Sequence, residues 1–187
     1  AGYHCYLREP LSDDGGWSGR KIRGVATYVP VIEALGGAAV NTPMGEVYSG
    51  IERGVVDGAC APQSVYRGTK HFEVAKYRTE PTFGQLVSYI AMNLDSWNGL
   101  TAEEQDAVSK AAIQTEKDTI KIGNEAIQSD LAAVAEAGVE VTTFPDEVYA
   151  KVVESYQNGI WQLVSDCCGA ETSDKLRKLA TDADLLQ

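Results

Sequence analysis

Residues 19–62 read GRKIRGVATYVPVIEALGGAAVNTPMGEVYSGIERGVVDGACAP, and this stretch indicates the class of fold. Three short runs within it predict strands, at residues 21–25, 38–41 and 55–60. Between them lie two segments with helical spacing of apolar side chains, each ending at a glycine, at residues 27–35 and 46–53. Strands that alternate with short helices in this way are typical of βαβ units. The sequence therefore predicts an α/β fold with a mostly parallel sheet.

Several candidate binding residues follow these predicted strands. Ligands of such sheets bind beyond the carboxyl ends of the strands, because the loops that follow parallel strands lie at one edge. Arg23 and Met44 lie at or just after the ends of the first two strands, and Ala61 to Gln63 follow the third. We therefore expect these residues to share one edge of the sheet, and we predict a ligand site there.

The flanking segments add further predicted elements. Strands are predicted at residues 3–7, 83–93 and 139–141, and helices at residues 101–137, 146–164 and 174–183. The first of these helices opens with Thr101, a residue suited to an N-cap, followed by acidic first-turn residues. At 1.5 Å per residue this helix would reach roughly 50 Å, more than a compact domain of this size needs. We therefore expect the helix to bridge two lobes.

The charge and hydropathy of the chain exclude several classes of partner. The 187 residues include 16 basic and 27 acidic side chains, giving a formal net charge of -11. Nucleic acids and anionic membranes bind basic surfaces, so we expect neither as a partner. No apolar run approaches the ~18 residues of a spanning helix, and we expect no membrane insertion. An anionic small molecule stays compatible with this charge, because one buried arginine can dominate a closed cleft.

The four cysteines do not form a recognisable metal or disulfide framework. No Cys-x-x-Cys occurs, and neither histidine completes a zinc-finger spacing, so we predict no metal site and no cofactor. Cys5 and Cys60 could lie on neighbouring strands and form a disulfide in an oxidising compartment. Cys167 and Cys168 are adjacent and would pair only with strain.

Short motifs follow one another in a fixed order along the chain. They are GRKIR at 19–23, PMGEVY at 43–48, RGVVDG at 53–58, KHFEVAKY at 70–77, and NLDSW with LTAEEQ at 93–97 and 100–105. Together they resemble the motifs of the DctP-like solute-binding proteins of bacterial TRAP (tripartite ATP-independent) transporters, and the likeness fades only after about residue 165.

The resemblance implies a fold and a division of the chain. The family has two α/β lobes that close on the ligand like a flytrap, the arrangement of type II periplasmic binding proteins. This chain would correspond to the C-terminal portion, with the N-terminal lobe largely missing and Ala1 near the crossover between lobes. We expect residues 1–85 to begin the second lobe and 138–187 to complete it. Residues 86–137 would supply a strand and the long helix that pack with the missing lobe.

The resemblance also implies a function and site residues. The protein would capture a small organic carboxylate in the periplasm and deliver it to the TRAP membrane permease. Arg23 would pair with the carboxylate, because a guanidinium offers a rigid fork of donors for both oxygens. Met44 stands where many relatives carry Trp or Phe against the ligand. Ala61 stands where relatives often carry Asn, and Gln63 could replace that contact.

Weaker candidates follow the next predicted strand. Phe83 and Gln85 would lie near its rim and contact the ligand. Tyr3 stands where some relatives carry a second arginine, so the resemblance suggests a monocarboxylate rather than a dicarboxylate as the ligand.

Other classes of function stay open from the residues alone. A binding protein of another transporter or sensor class would use the same lobes, since fold does not fix function. A plain interaction domain would not explain the polar residues at one sheet edge. In an enzyme, Cys60 would act as nucleophile with His71 or His4 as base. No nucleophile elbow or paired carboxylates mark such a site, so we predict that the protein is not an enzyme.

Overall fold

A computed structural model describes residues 2–185, so Ala1 and the last two residues of the predicted C-terminal segment lie outside it. The described chain forms one six-stranded sheet with the strand order β3-β2-β4-β1-β5-β6. The strands are β1 (Tyr3–Leu7), β2 (Lys21–Arg23), β3 (Ala38–Val40), β4 (Gly58–Pro62), β5 (Tyr77–Glu80) and β6 (Glu140–Thr143).

The direction of the strands confirms the predicted α/β class. Strand β2 pairs in parallel with β3 and β4, and β5 pairs in parallel with β6. Strand β1 lies between β4 and β5 and is antiparallel to both. Five strands therefore run in one direction, and the amino end of β1 lies at the edge where β4 and β5 end.

Helices cover both faces of this sheet. They are α1 (Val29–Ala34), α2 (Met44–Glu52), α3 (Gln63–Gly68), α4 (Leu94–Asn98), α5 (Ala102–Glu136), α6 (Asp146–Cys168) and α7 (Ala170–Asp182), with a single 3-10 turn at His71–Glu73. Helices α1 and α6 enclose one apolar cluster, which includes Trp17, Ile22 and Val152. Helices α2, α3 and the end of α5 enclose the other, which includes Tyr6, Ile51 and Val134. No helix among residues 2–185 is long and apolar enough to cross a membrane.

A disulfide joins the central strands. Cys5 of β1 faces Cys60 of β4 in the antiparallel register, and both side chains are fully buried. The pairing that the sequence left open is therefore present in the structure. Cys167 and Cys168 are also bonded to each other, at the exposed carboxyl end of α6.

One predicted strand is displaced in the structure, and another is absent from the described chain. The strand expected at 55–60 forms instead at Gly58–Pro62, because α2 is followed by a turn with Gly54 at φ 72° and an exposed Val55. The strand expected at 83–93 does not form. Gln85 makes a single bridge to Gly2, and residues 86–93 have no regular structure. Apolar side chains alone do not make a strand, because its backbone needs a neighbour to hydrogen bond.

The long helix forms without a break. Helix α5 continues through Gly123, and a capping box holds its start, with Thr101 accepting from the Glu104 amide and Glu104 accepting from the Thr101 amide. Only its last turns are anchored, by buried Val134 and by the ion pair between Asp130 and Arg67 of α3. The first two thirds of the helix are mostly exposed along the chain that the structure describes.

Candidate functional site

Arg23 is the most distinctive group at the carboxyl edge of the sheet. It is the last residue of β2, with strand β3 on one side and β4 on the other, and only 6% of its surface is exposed. Its Nε donates to the carbonyl oxygen of Thr42 at 3.1 Å. Within residues 2–185 the guanidinium has no other hydrogen bond and no carboxylate partner. Burial lowers the pKa of Arg23 below its ordinary value, because the protein interior disfavours the charged form.

The structure brings three other predicted residues to this edge. Met44 is the first residue of α2 and packs, half-buried, against the apolar cluster on the α2 and α3 face. Ala61 is buried in β4, opposite His4 of β1. Gln63 is the first residue of α3, directly after β4. Because β2, β3 and β4 are parallel, these three residues lie at the same carboxyl edge of the sheet as Arg23. The sequence predicted this shared edge.

Gln63 carries an unused hydrogen-bond donor. Its side chain is 2% exposed, and its Oε1 accepts from the Tyr6 hydroxyl at 2.6 Å. Its Nε2 is buried and has no partner among the described residues. The other such atom in that part of the chain, Trp17 Nε1, belongs to the apolar cluster on the opposite face. A buried amide donor without a partner costs about 1–3 kcal/mol, so a ligand oxygen would be stabilising here.

His71, which the sequence offered only as a base for Cys60, is a further buried polar residue, located after α3. It begins the 3-10 turn after α3, is 2% exposed, and lies with its ring centroid 6.5 Å from that of Tyr66. Burial, and next the positive charge of Arg23, lower the pKa of His71. Neither ring nitrogen makes a hydrogen bond within residues 2–185. His71 lies inside the KHFEVAKY motif.

His4 occupies the same edge from the antiparallel strand. Its Nδ1 lies 3.0 Å from the Thr79 carbonyl oxygen and 3.9 Å from Glu80 Oε1. Arg78 in turn bonds Glu80 at 2.9 Å. Burial lowers the pKa of His4, while the bond to Thr79 and the charge of Glu80 act in the opposite direction. Unlike Arg23, this histidine is therefore held by protein partners.

Phe83 and Gln85 follow the carboxyl end of β5. Phe83 is buried in the α1 and α6 cluster, with its ring 6.1 Å from Tyr28 and 5.6 Å from Tyr156. Gln85 is exposed and pairs through its backbone with Gly2. Their contact with a ligand stays a prediction.

The disulfide decides whether Cys60 can act as a nucleophile. Because Cys60 is bonded to Cys5 and fully buried, it presents no thiolate, and the cysteine-dependent reaction has no support in this structure. No group of His, Cys, Asp or Glu side chains between residues 2 and 185 has the arrangement of a metal site. What the edge offers is a buried cation and unpaired donors, an arrangement suited to binding an anion.

Comparisons with known proteins identify the family of the chain. A sequence model of the family described as bacterial extracellular solute-binding protein, family 7, matches residues 11–164. The ectoine/5-hydroxyectoine-binding periplasmic protein UehA of Ruegeria pomeroyi is 32% identical over 117 residues, which cover 62% of this chain and 34% of UehA.

Solved structures extend the likeness to the fold. A TRAP periplasmic solute-binding protein from Desulfovibrio salexigens, with bound orotic acid, superposes with a TM-score of 0.82 at 22% identity, covering 97% of this chain and 59% of that one. Another, from a Bradyrhizobium species in complex with D-galacturonate, gives 0.71 at 27% identity, covering 97% and 60%. This chain thus spans less than two thirds of the length of each relative. Because the family match covers most of the chain, the protein belongs to the bacterial extracellular solute-binding proteins of family 7, the periplasmic binding proteins of TRAP transporters.

Proposed function

We propose that this protein captures a small organic carboxylate outside the cytoplasm and delivers it to a TRAP membrane permease, without chemistry on the ligand. Arg23 would bind the carboxylate, Met44 and Ala61 would line the apolar side of the site, and Gln63 would donate to a ligand oxygen. Phe83 and Gln85 belong to the proposed site on the strength of the resemblance alone. The D-galacturonate and orotic acid held by related structures are acids of the expected size.

The observation that carries this proposal is the unpaired guanidinium of Arg23. A buried charge is ordinarily paired, because leaving it alone in the protein interior costs several kcal/mol. Arg23 is 6% exposed and contacts one backbone carbonyl, with no acidic partner among residues 2–185. A carboxylate in the fork of the guanidinium would supply the missing counter-charge through two parallel hydrogen bonds.

The buried Cys5–Cys60 disulfide supports the proposed periplasmic location. Structural disulfides form and persist in oxidising compartments and are rare in the reducing cytosol. The permease is proposed as partner because the family serves TRAP transporters.

The division of the chain into 1–85, 86–137 and 138–187 is also a proposal. Large apolar side chains in the middle segment are exposed, reaching 86% for Tyr89 and 90% for Ile90. A surface of this kind favours contact with another folded part. In the proposed arrangement, that part is the first lobe of the full-length protein, which would complete the cleft above Arg23.

A thermal-shift screen tests the proposal. Melting temperatures are measured on the full-length gene product, which would carry both lobes, with orotate, D-galacturonate, D-glucuronate, malonate, lactate and ectoine, for the wild type and for Arg23→Met. An acid at about a hundred times its Kd adds about 2.7 kcal/mol of stability. The melting temperature then rises measurably, because stabilisation of the folded state raises the midpoint.

The matched control is Arg53→Met, which removes the same charge from an exposed position at the end of α2. The expected result is a shift with one class of acid in the wild type and in Arg53→Met, and no shift in Arg23→Met. If every acid leaves the wild type unchanged, or if Arg23→Met responds like the wild type, the carboxylate assignment is wrong.

A further inference from the structure

We propose that the adjacent cysteines Cys167 and Cys168 form a thiol–disulfide exchange site, which small thiols open and small disulfides close while the fold stays intact. Both residues end α6, and Gly169 separates them from α7. They are bonded to each other and are exposed to solvent. The site is independent of the proposed function, because it needs no ligand at Arg23.

The two disulfides differ in their access to solvent. Cys5 and Cys60 are each 0% exposed, on hydrogen-bonded strands in the middle of the sheet. A thiolate reaches their bond only after the strands have separated. Cys167 and Cys168 are exposed at the end of a helix, so a thiolate in solvent reaches their bond directly. The exposed bond should therefore open much faster than the buried one.

The exposed bond contributes little to the stability of the fold. A disulfide stabilises mainly by restricting the unfolded chain, and the effect grows with the length of the loop that it closes. Cys5 and Cys60 are 55 positions apart, whereas Cys167 and Cys168 are neighbours in the chain. Opening the exposed bond should therefore leave the free energy of unfolding nearly unchanged.

Contacts away from the cysteine pair hold α6 and α7 in place. Gly159 of α6 lies directly against the ring of Pro30 in α1. The Oγ of Ser173 in α7 donates to the Trp161 carbonyl oxygen at 3.1 Å, and the guanidinium of Arg177 lies 5.9 Å from the centre of the Trp161 ring. None of these contacts involves a cysteine, so both helices should stay packed when the bond opens.

The reaction balances with a small thiol as the co-reactant. Its thiolate attacks one Sγ, a new S–S bond forms, the Sγ–Sγ bond breaks, and the electron pair stays on the other Sγ, which takes up a proton. A second thiolate then attacks the bound thiol and releases it as a small disulfide, leaving a protonated dithiol. Two thiols are thereby oxidised to one disulfide, and the cysteine pair gains two electrons and two protons. A small disulfide reverses both steps.

Alkylation with iodoacetamide, read by peptide mass spectrometry, tests this inference on the folded wild-type chain. Dithiothreitol is the thiol, and samples are quenched, alkylated and digested at increasing times. Cys167 and Cys168 should become alkylated at least about a hundredfold faster than Cys5 and Cys60, because the buried bond reacts only through opening of the sheet. In urea above the unfolding midpoint, this difference should largely disappear. Circular dichroism should show an unchanged fold while only the exposed pair is open.

Two matched variants test the return to the disulfide. When dithiothreitol is replaced by oxidised glutathione, the wild-type pair should close again, because the neighbouring thiol expels bound glutathione at a high effective concentration. Cys168→Ser removes that neighbour, so glutathione should stay attached to Cys167. Cys167→Ser should retain glutathione on Cys168 in the same way. If a variant does not fold, the measurements on the wild type decide the inference.

Three results would overturn the exchange site. The first is alkylation of Cys5 and Cys60 as fast as that of the exposed pair in the folded chain. The second is loss of the folded circular dichroism signal when only Cys167 and Cys168 are reduced. The third is a wild-type pair that stays open, or retains glutathione, after treatment with oxidised glutathione. Each of these results leaves the proposed function standing, because the thermal response to acids is measured separately.

Discussion

Reduction of the Cys5–Cys60 disulfide should lower the free energy of unfolding by about 4 kcal/mol. The bond closes a loop between residues 55 positions apart, and the loss of chain entropy in the unfolded state sets this magnitude. The folded state should change little, because both cysteines are buried on strands that stay hydrogen bonded. The assay is equilibrium unfolding in urea, followed by circular dichroism, with and without reductant throughout. With an m-value near 2 kcal/mol/M, the midpoint should fall by about 2 M.

The second cysteine pair provides the control for this measurement. Cys167 and Cys168 are one residue apart, so their bond closes no loop of any length. Cys167→Ser combined with Cys168→Ser should leave the oxidised midpoint unchanged and should still show the full effect of reductant. A midpoint that does not move on reduction of the wild type, or moves only when the Cys167 pair is present, would refute the reasoning.

Three further predictions concern packing and charge. Gly159→Ala should destabilise the fold, because a Cβ there would overlap the ring of Pro30 between α1 and α6. Gly123→Ala, in open space on α5, should raise the free energy of unfolding by up to about 1 kcal/mol. Urea midpoints of the two variants check both expectations. Asp130→Asn should cost about 1 kcal/mol, since Arg67 is partly exposed and solvent screens the pair; the double variant with Arg67→Met, measured in the same way, isolates the interaction. The pKa of both histidines is lowered in the folded chain, so the unfolded chain binds protons at a higher pH than the folded chain does. The free energy of unfolding should therefore be at its full value above about pH 6.5 and should decline as the pH falls below it. Urea midpoints measured at about pH 7.5 and 5.5 check this expectation.

The strands around Arg23 could be predicted because their sequence repeats a simple pattern. Each strand is followed by a helix whose end is marked by glycine, and parallel strands leave their carboxyl ends at one edge. That rule located Arg23, Met44 and Gln63 without any knowledge of side-chain contacts. Strand β5, Tyr77–Glu80, was not predicted, because its alternating polar residues give no apolar run.

Other features depend on contacts that the sequence does not encode locally. Residues 86–93 have the composition of a strand, but no backbone lies beside them in the described chain, so the pattern alone misled. Gln63 shows the opposite case. Its Oε1 accepts from the Tyr6 hydroxyl, a contact between residues 57 positions apart, and no local pattern indicates that its Nε2 is buried without a partner among the described residues.

The interior of the sheet stabilises the fold, whereas its carboxyl edge carries the candidate binding residues. This division can be tested. The disulfide and two apolar clusters hold the strands together in the interior, whereas Arg23 and Gln63 at the edge have donors without a partner among the described residues. Unpaired buried polar groups lower the free energy of unfolding, and in natural binding sites the ligand offsets this loss by pairing with them. Ligand-free Arg23→Met should therefore melt at or above the wild-type temperature while losing the response to acids. A variant that melts far below the wild type would instead show that Arg23 holds the fold together, and its unpaired guanidinium would no longer argue for an anion.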